Sequence, residues 1–201
     1  MFILLVVLLY GDSTKLPKIK DEIGAPLSPY AITKYVNELY ATVFKGNFNL
    51  DTIGLRYFNV FGRKQDPMGG YAAVIPKFVR QSINHEFPLV NVDGTFSRDF
   101  TYIYNVIKMN NLAFTTENKW ALNQIYNTAV GDRTTLVQLL RSLRKYLSKF
   151  DPAIAKINST YGPNRLGDVP HEQTSVEKAI KLLNDKPTHD FESGIKIAVE
   201  C

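Results

Sequence analysis

The sequence predicts an α/β fold built on a parallel sheet, on three observations. Residues 1–9 are an unbroken apolar run entering a turn at Gly11-Asp12, the pattern of a strand buried on both faces. Ser28-Pro29 opens a helix, because Ser caps free backbone N–H groups and Pro fits the first helical position without losing a needed donor. Residues 52–58 then read as a second strand, and a strand–helix–strand order with a crossover of this size argues for a parallel βαβ unit.

The first run has no basic stretch before it and no small-residue cleavage site after it. Nine apolar residues are also too few to span a bilayer, so a strand is preferred to a targeting signal. A chain that starts directly on a central strand leads us to expect a preceding segment. Residues 10–27, punctuated by Gly11, Pro17, Gly24 and Pro26, read as a loop. In the helix from Ser28, the spacing of Ile32, Val36, Leu39, Tyr40, Val43 and Phe44 predicts a stripe packed on the sheet, with Gly46 as the stop.

The second strand runs into residues 59–62 and a long loop through Gly69-Gly70, which falls where ligands bind in open parallel sheets, beyond the carboxyl ends of strands. A helix with Pro76 in its first turn reaches about Asn84, followed by extended pieces at 88–92 and 99–104, a helix at 105–115 and a strand at 123–130. Thr134 or Thr135 caps a helix whose Leu136, Leu139, Leu140, Leu143 and Leu147 keep the rhythm of a core face. Pro152 starts an irregular segment through Gly162, Pro163 and Gly167, and a last helical stretch covers 175–183.

With 201 residues, 45% hydrophobic and 21% charged, the chain can bury one substantial core with room for a small second lobe. The net charge of +5 comes from scattered Lys and Arg, with neither a basic stripe nor a recognition motif for nucleic acid. Small phosphorylated ligands account for that balance equally well. Cys201 is the single cysteine, which rules out a disulfide framework and a cysteine metal site within this sequence and fits a reducing, cytoplasmic setting.

Tyr30 and Lys34 stand one turn apart on the same helix face, so the ammonium favours the ionised phenol and the tyrosine can serve as a base. The spacing alone equally describes an ordinary amphipathic helix. The order of landmarks is more specific: Tyr10-Gly11-Asp12, Ser28-Pro29-Tyr30 with Lys34, Arg56-Tyr57-Phe58-Asn59-Val60-Phe61-Gly62, Ser97-Arg98-Asp99-Phe100-Thr101-Tyr102-Ile103, and Arg165-Leu166-Gly167-Asp168. Together they resemble the extended short-chain dehydrogenase/reductase superfamily, within it the NAD-dependent nucleotide-sugar epimerases and dehydratases. The stretch from Gly62 to Pro67 leading to residues 71–76 looks most like the branch acting on UDP-N-acetylglucosamine as a 4-epimerase.

The resemblance implies a partial Rossmann-like parallel sheet with a small α+β substrate-binding lobe. Residues 1–60 would be the remaining C-terminal part of the dinucleotide-binding domain and 61–201 mainly the substrate lobe, with 123–131 returning to the main sheet. It implies NAD as cofactor, a UDP-sugar as substrate, and a 4-keto intermediate. Tyr30 would take the sugar's 4-hydroxyl proton while Lys34 holds the nicotinamide ribose, with Tyr57 near the nicotinamide. Arg98 and Arg165 would clamp the phosphates, Asn59 would donate to the diphosphate, Asp168 would accept from the uridine ribose, and Gln65 and Ala73 would line the pocket.

The chain departs from that pattern in three ways. It contains no Gly-x-x-Gly-x-x-Gly turn, the family's cradle for the NAD pyrophosphate. Val6, Val7 and Leu8 stand where a hydroxyl residue would share the substrate proton, and Val92 and Asn105 replace a glycine and an acid. Impaired epimerisation by this chain alone is therefore expected, and a non-catalytic UDP-sugar-binding or dimerisation role and a 4,6-dehydratase are the rival readings. Pairing with a second chain is expected through the Tyr30 helix and the unprotected edge of residues 1–9, and no membrane or nucleic-acid partner is expected.

Overall fold

The computed structural model describes residues 10, 13, 15–19, 24–26, 28–68, 73–91, 93–163 and 169–200, and residues 2–6 as backbone. Among them, β1 (Phe2–Val6), β2 (Ile53–Tyr57) and β7 (Gln124–Thr128) form a parallel sheet in the order β1-β2-β7, with Val6 opposite Tyr57 and Tyr57 opposite Thr128. The α/β class with parallel strands is thus observed.

Alternation along β2 sorts the two faces of the sheet. Ile53 and Leu55 point with Tyr126 toward α3 (Ile103–Thr115) and α5 (Glu177–Leu183), where Met109, Ala113, Ala179 and Leu183 complete an apolar core. Gly54 and Arg56 point the other way, toward α1 (Pro29–Phe48).

α1 begins as its sequence predicts: the Ser28 side chain accepts from the Ala31 N–H at 3.1 Å, and Pro29 takes the first position. The rest of the helix corrects the sequence reading. Gly46 lies inside it, and the stop is Asn49, left-handed at φ 51°, whose N–H closes on the Lys45 and Phe44 carbonyls.

The apolar stripe does not pack on the sheet. Ile32, Val36, Val43 and Phe44 are exposed, as are Leu39 at 49% and Tyr40 at 58%, while the residues of α1 that are buried are Ala31 and Glu38. The helix meets the sheet through a small side chain and a carboxylate, and its hydrophobic periodicity marks a face turned to solvent.

That carboxylate explains a second correction. Arg56 and Asp99 could be read as paired strand-end charges, yet Arg56, fully buried, forms a two-pronged pair with Glu38, Nε to Oε1 at 2.8 Å and Nη2 to Oε2 at 2.9 Å. The Tyr10 ring lies 4.9 Å from the Arg56 guanidinium, and its hydroxyl donates to Asn127 Oδ1 at 2.6 Å. This face of the sheet carries a buried polar network where the opposite face carries a greasy core.

The second lobe is assembled from short pieces. β3 (Val60–Phe61) pairs in parallel with β6 (Thr101–Tyr102), β4 (Leu89–Asn91) with β9 (Thr160–Gly162), and β5 (Ser97–Arg98) runs antiparallel to β8 (Thr134–Thr135). They surround a core shared by α2 (Val74–Ile83), α4 (Leu136–Leu147) and α6 (Phe191–Val199). α4 buries the whole leucine row and starts on a capping box in which Thr135 and Gln138 satisfy each other's backbone N–H groups.

β9 and α6 were not predicted, since 152–175 read as irregular and no helix was expected beyond 183. α6 is short and buries little besides Gly194 and Ile195, so it carries no long periodic signal. Gly194 is required by close approach: a Cβ there would lie 2.7 Å from Tyr102 Cβ. Asn105 is buried and fastens the loop before α6, donating to the His189 carbonyl and accepting from the N–H groups of Thr188 and His189.

Candidate active site

The first turn of α1 brings Tyr30 and Lys34 together. The Lys34 ammonium lies 5.1 Å from the centroid of the Tyr30 ring, close enough for the charge to act on the phenol, and both side chains are partly exposed. Tyr57, at the end of β2, turns instead toward α3, where its hydroxyl and the Asn110 side-chain amide lie in hydrogen-bonding contact at 2.8–3.0 Å. Burial pushes the Tyr57 phenol up, with Asn110 opposing it.

A second group of site residues lies where β2 gives way to the lobe. Asn59, Ala73 and Arg98 line one cavity of about 270 Å³, together with Val60, Lys77 and Asn91. Ligand pockets usually run from about 300 to 1,000 Å³, so this cavity falls just below the usual range. Asn59 sits at φ 35°, a left-handed conformation that Asn tolerates better than most residues. From there Nδ2 donates to the Asp99 carbonyl at 3.2 Å and to Glu172 Oε2 at 2.7 Å.

Arg98 Nε lies 3.8 Å from the same Glu172 oxygen, and Nη1 donates to the Ser97 carbonyl at 2.9 Å. Behind them, the buried Asp99 carboxylate accepts from the N–H groups of Val130 and Gly131, both at 3.1 Å. Burial pushes its carboxyl up to about 7 against the pull of those amides. Lys18, buried and donating to the Ser13 carbonyl, is lowered by burial, while the Glu172 charge acts the other way.

Gln65 stands apart from the Asn59 cavity. It lines a groove with Pro67, Val79 and Arg80, and its Nε2 donates to the Val60 carbonyl at 3.3 Å. Arg165 and Asp168 lie outside the described residues, as do Val7, Leu8 and Val92. The sequence reading missed Lys77, Asn91 and Glu172; Glu172 follows Pro170 in a segment with no periodicity, so no pattern marks it. Among the described residues, no group of His, Cys, Asp and Glu could hold a metal, and no helix is long and apolar enough to cross a membrane.

A parallel α/β sheet with a crossover helix that opens on a tyrosine and a lysine one turn apart is an arrangement of the short-chain dehydrogenase/reductase class. The chain belongs to the NAD dependent epimerase/dehydratase family, whose model matches residues 7–129. It is similar to the UDP-N-acetylglucosamine 4-epimerase of Methanobrevibacter ruminantium, solved with UDP-N-acetylmuramic acid: TM-score 0.89, 33% identity, covering 99% of this chain and 61% of that one.

The UDP-glucose 4-epimerase of Thermotoga maritima, solved with UDP-glucose, is similar at TM-score 0.88 and 32% identity, covering 99% of this chain and 62% of that one. UDP-glucuronate 4-epimerase 4 of Arabidopsis thaliana is 31% identical over 198 residues, 93% of this chain and 44% of that protein. The chain thus spans about half the length of the curated relatives it matches, between 44% and 59% for four of them.

Proposed function

We propose that this chain supplies the tyrosine base and the sugar-nucleotide contacts of an NAD-dependent epimerase that inverts C4 of a UDP-linked hexose, of the UDP-N-acetylglucosamine kind. The observation that carries the reading is the Lys34 ammonium held 5.1 Å from the Tyr30 ring on the first turn of α1. In this reading residues 1–60 belong to a dinucleotide-binding sheet and 61–201 form mainly the substrate lobe, with 123–131 returning to that sheet.

The donors present fit one end of the cofactor: a phenol and an ammonium from one helical turn suit a ribose and the reacting carbon beside it. The pyrophosphate end needs a glycine-rich turn, which these 201 residues do not contain. When bound, NAD supplies acceptance and return of the C4 hydride. The work of this chain is the proton. Tyr30 oxygen takes it from the 4-hydroxyl, stabilised by Lys34, and gives it back after the sugar has turned. Arg98, Lys77 and Asn59 offer charge and hydrogen bonds to the diphosphate, and Arg165 and Asp168 would add a second clamp and a ribose acceptor.

Two measurements test this. Proton NMR of UDP-N-acetylglucosamine incubated with the protein and NAD follows the 4-epimer, and calorimetry follows UDP. Arg98→Ala is expected to weaken UDP binding by roughly tenfold or more, the loss of a charge-assisted contact. Neither binding nor epimer would overturn the reading; binding without epimer would leave a sugar-nucleotide-binding protein.

The exposed face of α1 supports a further part of the proposal, a homodimer in which a second copy lays its α1 against this one. Leu39 and Tyr40, both largely exposed, would become buried there. In sedimentation, the wild type is expected to run as a dimer and the pair Leu39→Lys with Val43→Lys as a folded monomer. A wild type that stays monomeric up to about 100 μM, where an interface of micromolar affinity would be nearly saturated, would refute it.

A further inference from the structure

We propose that Glu172 is a specificity-determining residue that occupies the diphosphate donors of this site from within the chain, so that a sugar nucleotide binds by displacing its carboxylate. The inference rests on the functional reading above and concerns the same cavity.

The case begins with a donor count. A side-chain amide has two N–H hydrogens. In Asn59 both point at groups of this chain, the Asp99 carbonyl at 3.2 Å and Glu172 Oε2 at 2.7 Å. The second is a charge-assisted bond of the kind a phosphate oxygen would make. The same carboxylate oxygen lies 3.8 Å from Arg98 Nε, so one anionic atom faces two of the donors that the reading gives to the diphosphate.

Glu172 is held there firmly. It is 5% exposed, and its N–H donates to the Ser97 carbonyl at 3.0 Å, which ties its backbone to the strand that carries Arg98. Among the described residues, the charges of Lys18, in the loop before α1, and Asp99, just after β5, also act on it. A diphosphate brought against Asn59 and Arg98 meets a negative charge 2.7 Å from the amide nitrogen of the first and 3.8 Å from Nε of the second. The carboxylate must swing out, or the ligand loses the Asn59 contact and is repelled.

Calorimetry tests this on the full chain with two probes, UDP and inorganic pyrophosphate, using wild type, Glu172→Gln and Glu172→Ala. Glu86→Gln, at an exposed position outside the cluster, controls for net charge. Circular dichroism melts confirm that each variant is folded, the amide being the isostere least disturbing to the fold.

Removing the charge is expected to tighten both probes by roughly tenfold, the scale of one charge-assisted contact regained, with Glu86→Gln unchanged. The gain should shrink to within about twofold when Arg98→Ala is added, because one contested donor is then gone. Tighter pyrophosphate binding without UDP binding would uphold Glu172 as competitor and refute the uridine reading. UDP binding that is equal or weaker in both Glu172 variants would overturn the proposal while leaving the UDP reading intact, since Glu172 would then be aligning the donors. No binding of either probe by any variant would overturn both.

Discussion

Tyr30→Phe is expected to lower the rate of C4 epimerisation by about 10² to 10⁴-fold, the span that a positioned general acid–base contributes. The substitution removes one oxygen and keeps the ring against which Lys34 rests at 5.1 Å, so the helix start and the lysine should stay in place. UDP binding, which the proposal gives to Arg98 and its neighbours, should be unchanged. That split separates a lost proton carrier from a damaged pocket. It is read by NMR detection of the 4-epimer alongside calorimetry with UDP. A Phe variant retaining the wild-type rate within about threefold would remove Tyr30 from the chemistry, since a loss that small lies well below the effect of a lost acid–base group.

The largest effect on stability is expected from Glu38→Ala, about 3 to 5 kcal/mol in chemical denaturation, because it strands the Arg56 guanidinium in a buried site. Arg56 is 0% exposed and Glu38 is its two-pronged partner at 2.8 and 2.9 Å. Burial and the two Glu38 bonds act in opposite directions on the guanidinium, and the bonds leave it firmly protonated. Without the carboxylate the guanidinium loses that counter-charge, while the Tyr10 ring stays 4.9 Å away. Replacing both partners, as in Glu38→Leu with Arg56→Met, should recover most of the loss, since two apolar groups leave no unpaired charge. If Glu38→Ala cost less than about 1 kcal/mol, the pair would behave as a surface pair does.

Much of the fold could be read in advance because its signals are local. The Ser28 cap, the β2 run and the leucine row of α4 each follow from residues within a turn or two of one another. What escaped was decided by contacts distant in sequence. Ile32, Leu39 and Val43 have the spacing of a buried stripe, but periodicity says only that a helix has an apolar face, never what covers it. The buried face of α1 is polar at Glu38 because Arg56, 18 positions later, lies beneath it. α6 is fixed by the fit of Gly194 against Tyr102, a contact that no pattern around residue 194 reveals.

The site divides in the same way. Tyr30 and Lys34 were legible from spacing, and Asn59 and Arg98 from the order of landmarks, and the structure places the first two on one helical turn and the second two in one cavity. Glu172 was invisible because it reaches Asn59 across 113 positions of sequence. The resemblance assigns Tyr57 and Gln65 to the site; in the structure the Tyr57 hydroxyl meets Asn110 and Gln65 donates to the Val60 carbonyl.

The Glu38–Arg56 pair also makes α1 a lever. Eight residues separate Tyr30 from Glu38, roughly 12 Å of helix at 1.5 Å per residue, with the pair as fulcrum. A tilt of about five degrees at that fulcrum carries the phenol oxygen through about 1 Å, a displacement that can change a rate by about 10²-fold. In the proposed function, the buried charges two turns downstream would set the aim of the Tyr30 oxygen, and the angular stiffness of one ion pair would become a kinetic property.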